Sequence, residues 1–169
     1  MTDHTSPHLR EKVPLSEFTT LGVGGPAKYF CTVTSELELE QALDIARARQ
    51  ISILILGGGS NLVIADKGFD GLVIHIALSG LDFDADGDDV IVRAKAGEEW
   101  DRVVASSAAK GLAGIENLSG IPGYVGGTPI QNVGAYGQEV GNTIESVRLW
   151  DRRKHEIVIF GNAECGFGY

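Results

Sequence analysis

Two glycine-rich segments carry the residue types and spacing best suited to chemistry. The first is Leu56-Gly57-Gly58-Gly59-Ser60-Asn61. Three successive glycines clear every Cβ from one stretch of backbone and admit positive φ. Their amides can then converge on an anionic oxygen, with Ser60 and Asn61 adding side-chain donors. The second segment runs from Gly120 to Gly137 and holds Gly123, Gly126, Gly127, Gly134, Pro122 and Pro129 with almost no charge. Its apolar residues Ile121, Val125, Ile130 and Val133 set it apart from a polar, disordered linker. A loop this long is usually functional. Pro122 is placed to open a short helix whose first amides face a phosphate. Gln131 and Asn132 can hydrogen-bond a heterocycle edge or a ribose. The bland alternatives are a tight turn for the first segment and a self-packed loop for the second. The composition of both segments favours a phosphate-bearing ligand.

Other motifs are formal matches without the context their chemistry needs. Gly22-Val23-Gly24-Gly25-Pro26-Ala27 fits G-x-G-x-x-A, but polar residues 15–20 precede it where a buried strand is required, and Pro26 interrupts it. No Gly-Lys-Ser/Thr is present, so there is no P-loop. Asp82, Asp84, Asp86 and Gly87 imitate the start of a calcium loop, but Arg93 stands where the bidentate glutamate belongs. No metal site is expected. His4, His8, His75 and His155 are scattered outside any nucleophile motif, and His75 reads as structural between Ile74 and Ile76 on a strand. Binding without acid–base machinery fits a redox cofactor, which carries its own chemistry.

The elements that must position these loops follow from periodicity. Lys28–Val33 is a strand candidate. Ser35 with Glu38 forms a capping box, and Leu39, Ala42, Leu43 and Ala46 follow at helical spacing to about Arg49. The apolar run 51–56 reads as a strand buried on both faces of a parallel sheet. Strand, helix and strand make a βαβ unit, and its last strand delivers Gly57 at the end where α/β sheets bind ligands. Residues 62–65 and 72–78 read as further strands. After an acidic turn at 82–89, Val90–Ala96 alternates as a half-buried strand. Residues 98–110 read as a helix with Trp100, Val103, Val104 and Ser107 on one face and Gly111 as its terminator. Residues 143–150 and 156–160 form a hairpin turned at 151–155. The expected organisation is a loose tail over 1–12, a first subdomain over 13–80 and a second over 81–169.

Composition excludes several classes. The chain has 169 residues, 43% hydrophobic and 22% charged, with formal net charge −9. That acidity disfavours a polyphosphate partner such as nucleic acid. Cys31 and Cys165 form no C-x-x-C pattern, so neither a disulfide framework nor a zinc site is expected. No apolar run reaches the ~18 residues of a membrane span, and the polar N-terminus is unlike a signal peptide, so a cytoplasmic location is expected. Glycine is the outlier at 23 residues, about twice the ~7% average.

Five segments, taken in order, resemble one family. They are Phe18-Thr-Thr-Leu-Gly-Val-Gly-Gly-Pro-Ala27, Leu56-Gly-Gly-Gly-Ser-Asn61, Glu116-Asn-Leu-Ser-Gly-Ile-Pro-Gly123, Thr128-Pro-Ile-Gln-Asn-Val-Gly-Ala-Tyr-Gly137 and Cys165-Gly-Phe-Gly-Tyr169. The sequence is similar to the bacterial UDP-N-acetylenolpyruvoylglucosamine reductases from about residue 13 onward. Thr19 departs from the asparagine of many relatives. The resemblance implies an α+β, FAD-binding fold of the vanillyl-alcohol-oxidase type, with two α/β subdomains clamping the flavin and a separate substrate-binding domain that these residues do not include. It implies FAD contacts from Gly57, Gly58, Gly59, Ser60 and Asn61, and from Ser119, Ile121, Pro122, Gly123, Gly126, Gly127, Thr128, Ile130, Gln131, Asn132, Gly134 and Ala135. It also implies NADPH as reductant, a UDP-sugar substrate near Tyr169, and a role in peptidoglycan precursor synthesis. The family's catalytic arginine would follow Tyr169, so no catalytic residue is expected within the chain. A flavin oxidase of the same fold and a flavin-binding module without its own reaction are the alternatives.

Overall fold

The computed structural model describes residues 7–168. Strand β1 (Arg10–Pro14) leads into β2 (Pro26–Val33). The two pair antiparallel, with Val13 opposite Ala27. Residues Arg10–Pro14 are therefore strand, and the tail expected over 1–12 is contradicted from Arg10 because β1 pairs with β2 at Arg10, Glu11, Val13 and Pro14.

Helix α1 spans Glu36–Ala48. Its N-cap is as expected: Ser35 Oγ accepts the Glu38 amide at 3.2 Å. The Glu38 carboxylate turns back to the Thr34 amide and hydroxyl rather than to Ser35 itself. These bonds hold the Glu38 carboxyl below its ordinary range. Strands β3 (Ser52–Leu56) and β4 (Phe69–Ile76) complete a sheet of order β1-β2-β4-β3. β4 runs parallel to both β2 and β3, so the βαβ crossover steps over the place that β4 fills.

That order corrects one expectation. β3 is an edge strand, and Ile55 is 46% exposed. The strand with the buried centre is β4, where Leu72, Val73 and Ile74 have no exposure. It begins at Phe69, earlier than its apolar run suggested. Residues 62–65 form no strand, although Leu62 and Ile64 pack on the core as a loop.

Both faces of the sheet are covered. Cys31, Val33, Leu72 and Ile74 meet Ala42, Leu43 and Ala46 of α1. On the other face Phe30, Leu56 and Val73 meet Leu15. Burying such side chains contributes ~1.5–3 kcal/mol each.

The second part is built from hairpins around one helix. β5 (Leu81–Asp86) and β6 (Asp89–Ala94) pair antiparallel. The acidic run expected as a turn is thus mostly a strand, reversing at Gly87 with φ +61. Helix α2 spans Trp100–Ala109 and buries Trp100, Val103, Val104 and Ser107, the expected face. A two-residue ladder joins β7 (Gly134–Ala135) to β8 (Gln138–Glu139). Strands β9 (Ser146–Asp151) and β10 (Glu156–Gly161) form the last hairpin, and α3 (Asn162–Cys165) follows. The core of this part joins Trp100 and Val104 to Leu118, Val133 and Val140.

Candidate functional site

The two glycine loops meet. Gly57 follows β3 directly, so the parallel sheet delivers the first loop at a carboxyl end. The second loop is brought to it by Glu98, Glu99 and Trp100 at the start of α2. The Trp100 amide donates to the Gly123 carbonyl at 3.0 Å, and the Val125 amide to the Glu98 carbonyl at 2.9 Å. Trp100 Nε1 donates to the Leu118 carbonyl at 2.9 Å in the core. The loop start is held by Asp101, whose Oδ1 accepts the Gly120 amide at 2.7 Å and the Ser119 hydroxyl at 2.8 Å. Those two bonds hold the Asp101 carboxyl below its ordinary range.

Across the gap, Ser60 Oγ donates to the Pro122 carbonyl at 3.0 Å. A Cβ built on Gly58 would lie 3.2 Å from Gly123 Cα and 3.3 Å from the Tyr124 ring. Gly59 has φ +65, and a Cβ there would run into the Phe18 carbonyl. The glycines are required by this close approach. The amides of Gly58, Gly59, Ser60 and Asn61 donate to no acceptor among the described residues. The same holds for Ile121 and Gly123. Six amides at or beside the junction thus have no protein acceptor among the described residues, which leaves them available to an anionic oxygen.

Beside this junction lies a cleft of about 380 Å³ lined by Phe18, Thr20, Gly57, Gly58, His75 and Tyr124. Phe18 lies 4.5 Å from Phe30 and 5.4 Å from His75 between ring centroids, and His75 lies 6.2 Å from Tyr124. Burial, with the Arg10 charge added, lowers the His75 pKa, favouring the neutral imidazole. The cleft therefore pairs aromatic walls with unused amides.

The remaining expected residues divide by their surroundings. Pro122 opens no helix; the nearest helical turn is Val125–Gly127, because Gly123 at φ +128 departs from helical backbone and Tyr124 after it is extended. Thr128 is buried and donates to the Val125 carbonyl. Asn132 is buried with both polar ends engaged: Nδ2 donates to Glu139 at 2.7 Å and Oδ1 accepts the Gly141 amide at 3.0 Å. Gly126 packs on Ala96, and Gly134 and Ala135 form β7. Ile121 is half-buried and Gln131 exposed, while Ile130 stands 85% exposed beside Tyr136 at 91%. Gly127 is half-buried. Tyr169 lies outside the described residues.

Sequence reasoning missed the aromatic wall. Phe18 stands in the stretch 15–20, which the sequence presents only as polar residues ahead of a false dinucleotide fingerprint. His75 reads as structural from sequence, although its alternation with Ile74 and Ile76 places it on the opposite face of β4. No helix among the described residues is long and apolar enough to cross a membrane, and no group of metal-binding side chains occurs among them.

Residues 27–161 match the family described as FAD binding domain. The UDP-N-acetylenolpyruvoylglucosamine reductase of Thermobifida fusca is 50% identical over 163 residues, which is 93% of this chain and 44% of that protein. The reductase of Nocardia farcinica is 51% identical over 98% of this chain and 42% of its own length. The chain thus spans less than half the length of these curated relatives. The crystal structure of the Thermus caldophilus reductase superposes with TM-score 0.75 at 33% identity, over 96% of this chain and 56% of that one. A vanillyl-alcohol-oxidase-type flavoprotein from Myceliophthora thermophila shares the fold with TM-score 0.64 at 15% identity, over 84% of this chain and 28% of that one. The architecture is the expected α+β fold of that type, and the chain belongs to the family of FAD binding domains.

Proposed function

We propose that the chain is the FAD-binding part of an NADPH-dependent reductase that converts UDP-N-acetylenolpyruvoylglucosamine to UDP-N-acetylmuramate in peptidoglycan precursor synthesis. The observation that carries this reading is the junction of the two glycine loops, with six unused amides beside an aromatic cleft. About 50% identity to curated reductases across nearly the whole chain supports the choice of reaction.

Bound FAD would supply two-electron chemistry between NADPH and the enolpyruvyl group. The chain's own residues bind and orient. The amides of Gly58 to Asn61, Ile121 and Gly123 would hold the pyrophosphate oxygens. Ser60 keeps the two loops in register through Pro122. Phe18, His75 and Tyr124 present rings for stacking, which a neutral imidazole serves without bringing a charge. Thr128 and Asn132 act on the loop itself, through bonds that keep it folded. NADPH and the UDP-sugar are partners of the longer protein, and the location is the cytoplasm.

The test has two arms. The purified chain is mixed with FAD, gel-filtered and examined for the absorption bands of oxidised flavin. The full-length protein is assayed for NADPH oxidation dependent on UDP-N-acetylenolpyruvoylglucosamine. Flavin uptake is expected in both forms and turnover in the longer one alone. A chain that stays colourless overturns the cofactor reading; a flavinylated full-length protein indifferent to this substrate overturns the reaction.

A further inference from the structure

A second cleft lies at the other end of β3. It has a volume of about 280 Å³ and lies between α1, the start of β3 and the β9–β10 hairpin. Its polar lining is Arg47, Arg152 and His155, and its apolar lining includes Ile51, Ile53 and Trp150. At ~3.3 Å per strand residue, Ile51 and Gly57 are about 20 Å apart along the chain, so this cleft is separate from the glycine junction.

The cleft is held open by bonds on both sides. Arg148 on β9 pairs with Glu36 on α1, one of its two contacts measuring 3.0 Å. Arg47 near the end of α1 donates to the His155 ring at 3.0 Å. Asp151 accepts the amides of Arg153 and Lys154, which shapes the turn and places His155 at φ +56. Among the described residues, the carboxylate paired with this lining is Asp44, 2.7 Å from Arg47. Arg152 has no ion-pair partner among the described residues. The lining therefore carries one guanidinium, Arg152, without a carboxylate partner among the described residues, and a second, Arg47, paired with Asp44, in a chain of net charge −9.

We propose that this cleft is a binding site for a small organic phosphate with a planar ring, of the nucleoside monophosphate class. Guanidinium groups match the geometry of phosphate oxygens in a bidentate manner. Ile51, Ile53 and the Trp150 indole offer an apolar wall on which a ring can lie. The volume of about 280 Å³ lies just below the ~300–1,000 Å³ range of drug-sized ligand pockets, which suits one ring and one phosphate rather than a dinucleotide. A ligand held here bridges α1 of the first part to the hairpin of the second.

The test uses protein saturated with FAD, so that the glycine junction is filled. Uridine monophosphate, adenosine monophosphate and inorganic phosphate are titrated in turn by calorimetry. The indole N–H signals are followed by NMR and assigned with Trp150→Phe. Saturable nucleotide binding is expected, with a shift of the Trp150 signal and none of the Trp100 signal. Arg152→Ala, an exposed turn position, is expected to weaken binding at least tenfold and to leave FAD uptake unchanged. Absence of saturable binding, binding indifferent to Arg152→Ala, or equal affinity for inorganic phosphate overturns the proposal. If the chain takes up no FAD, the cofactor reading fails separately, and the Arg152→Ala comparison still decides this one.

Discussion

Ser60 donates its hydroxyl hydrogen to the carbonyl of Pro122 across 3.0 Å, joining two loops 62 residues apart in sequence. One net hydrogen bond of this kind is worth about 0.5–1.5 kcal/mol. Ser60→Ala is therefore expected to leave the fold intact and to weaken FAD binding about 2- to 10-fold. Quenching of flavin fluorescence on titration measures it. An unchanged affinity would separate the loop–loop bond from cofactor binding.

Gly58 tests the close approach directly. Gly58→Val places methyl groups where Gly123 and the Tyr124 ring already stand. Overpacking of this sort costs about 1–3 kcal/mol. Far-UV circular dichroism is expected to report a folded protein with a lowered melting temperature. Flavin retention after gel filtration should fall more than tenfold. Retention at the wild-type level would show that the loops can part without losing the site.

Asp101 gives the second loop a pH dependence. Its folded-state pKa is depressed by the Gly120 amide and the Ser119 hydroxyl. A depressed carboxyl contributes stability that is present above its unfolded pKa and is lost as pH falls through the folded value. Asp101→Asn removes that contribution. Urea midpoints of wild type and variant should differ near neutral pH, begin to approach one another below about pH 4, the ordinary carboxyl range, and meet only as pH falls through the lower folded-state value. A gap that persists under acid would assign the effect to something other than this carboxylate.

Cys31 and Cys165 should react differently. Cys31 is fully buried on β2, and burial with the nearby Glu38 charge pushes its thiol up to about 11. Thiolate is the reactive form. At pH 8 iodoacetamide is expected to modify the half-exposed Cys165 in the native protein and Cys31 only after denaturation. Peptide mapping by mass spectrometry checks this.

Much of the fold was legible because local patterns coincided with tertiary needs. The α2 face of Trp100, Val103, Val104 and Ser107 follows from helical spacing alone, and Ser35 caps α1 by its own side chain. β3 was misread for a physical reason. Its continuous apolar run satisfies α1 on one face and the Leu56 cluster on the other, but position in a sheet depends on which strand arrives beside it. β4 arrives from residue 69 and takes the centre, so Ile55 is left at the edge. The loops were legible as binding elements from their glycines. The aromatic wall was not, because Phe18, His75 and Tyr124 come from three distant segments whose meeting is a property of the sheet order. Asn132 could be read from sequence as a polar group with free donors and acceptors. Its engagement by Glu139 and Gly141 depends on the β7–β8 turn, which no local signal announces.

The bond from Ser60 to Pro122 also sets an order in time. A ribosome adds about 5–20 residues each second. The strand and glycines of the first loop therefore leave the tunnel roughly 3–13 s before Gly123 can close on them. During that interval the nascent chain can settle β1 to β4 and α1, whose partners are already made. The anion cradle, by contrast, still lacks the Ile121 and Gly123 amides, so ligand capture belongs to the later phase of synthesis and can fasten the second half of the chain onto a first half already folded.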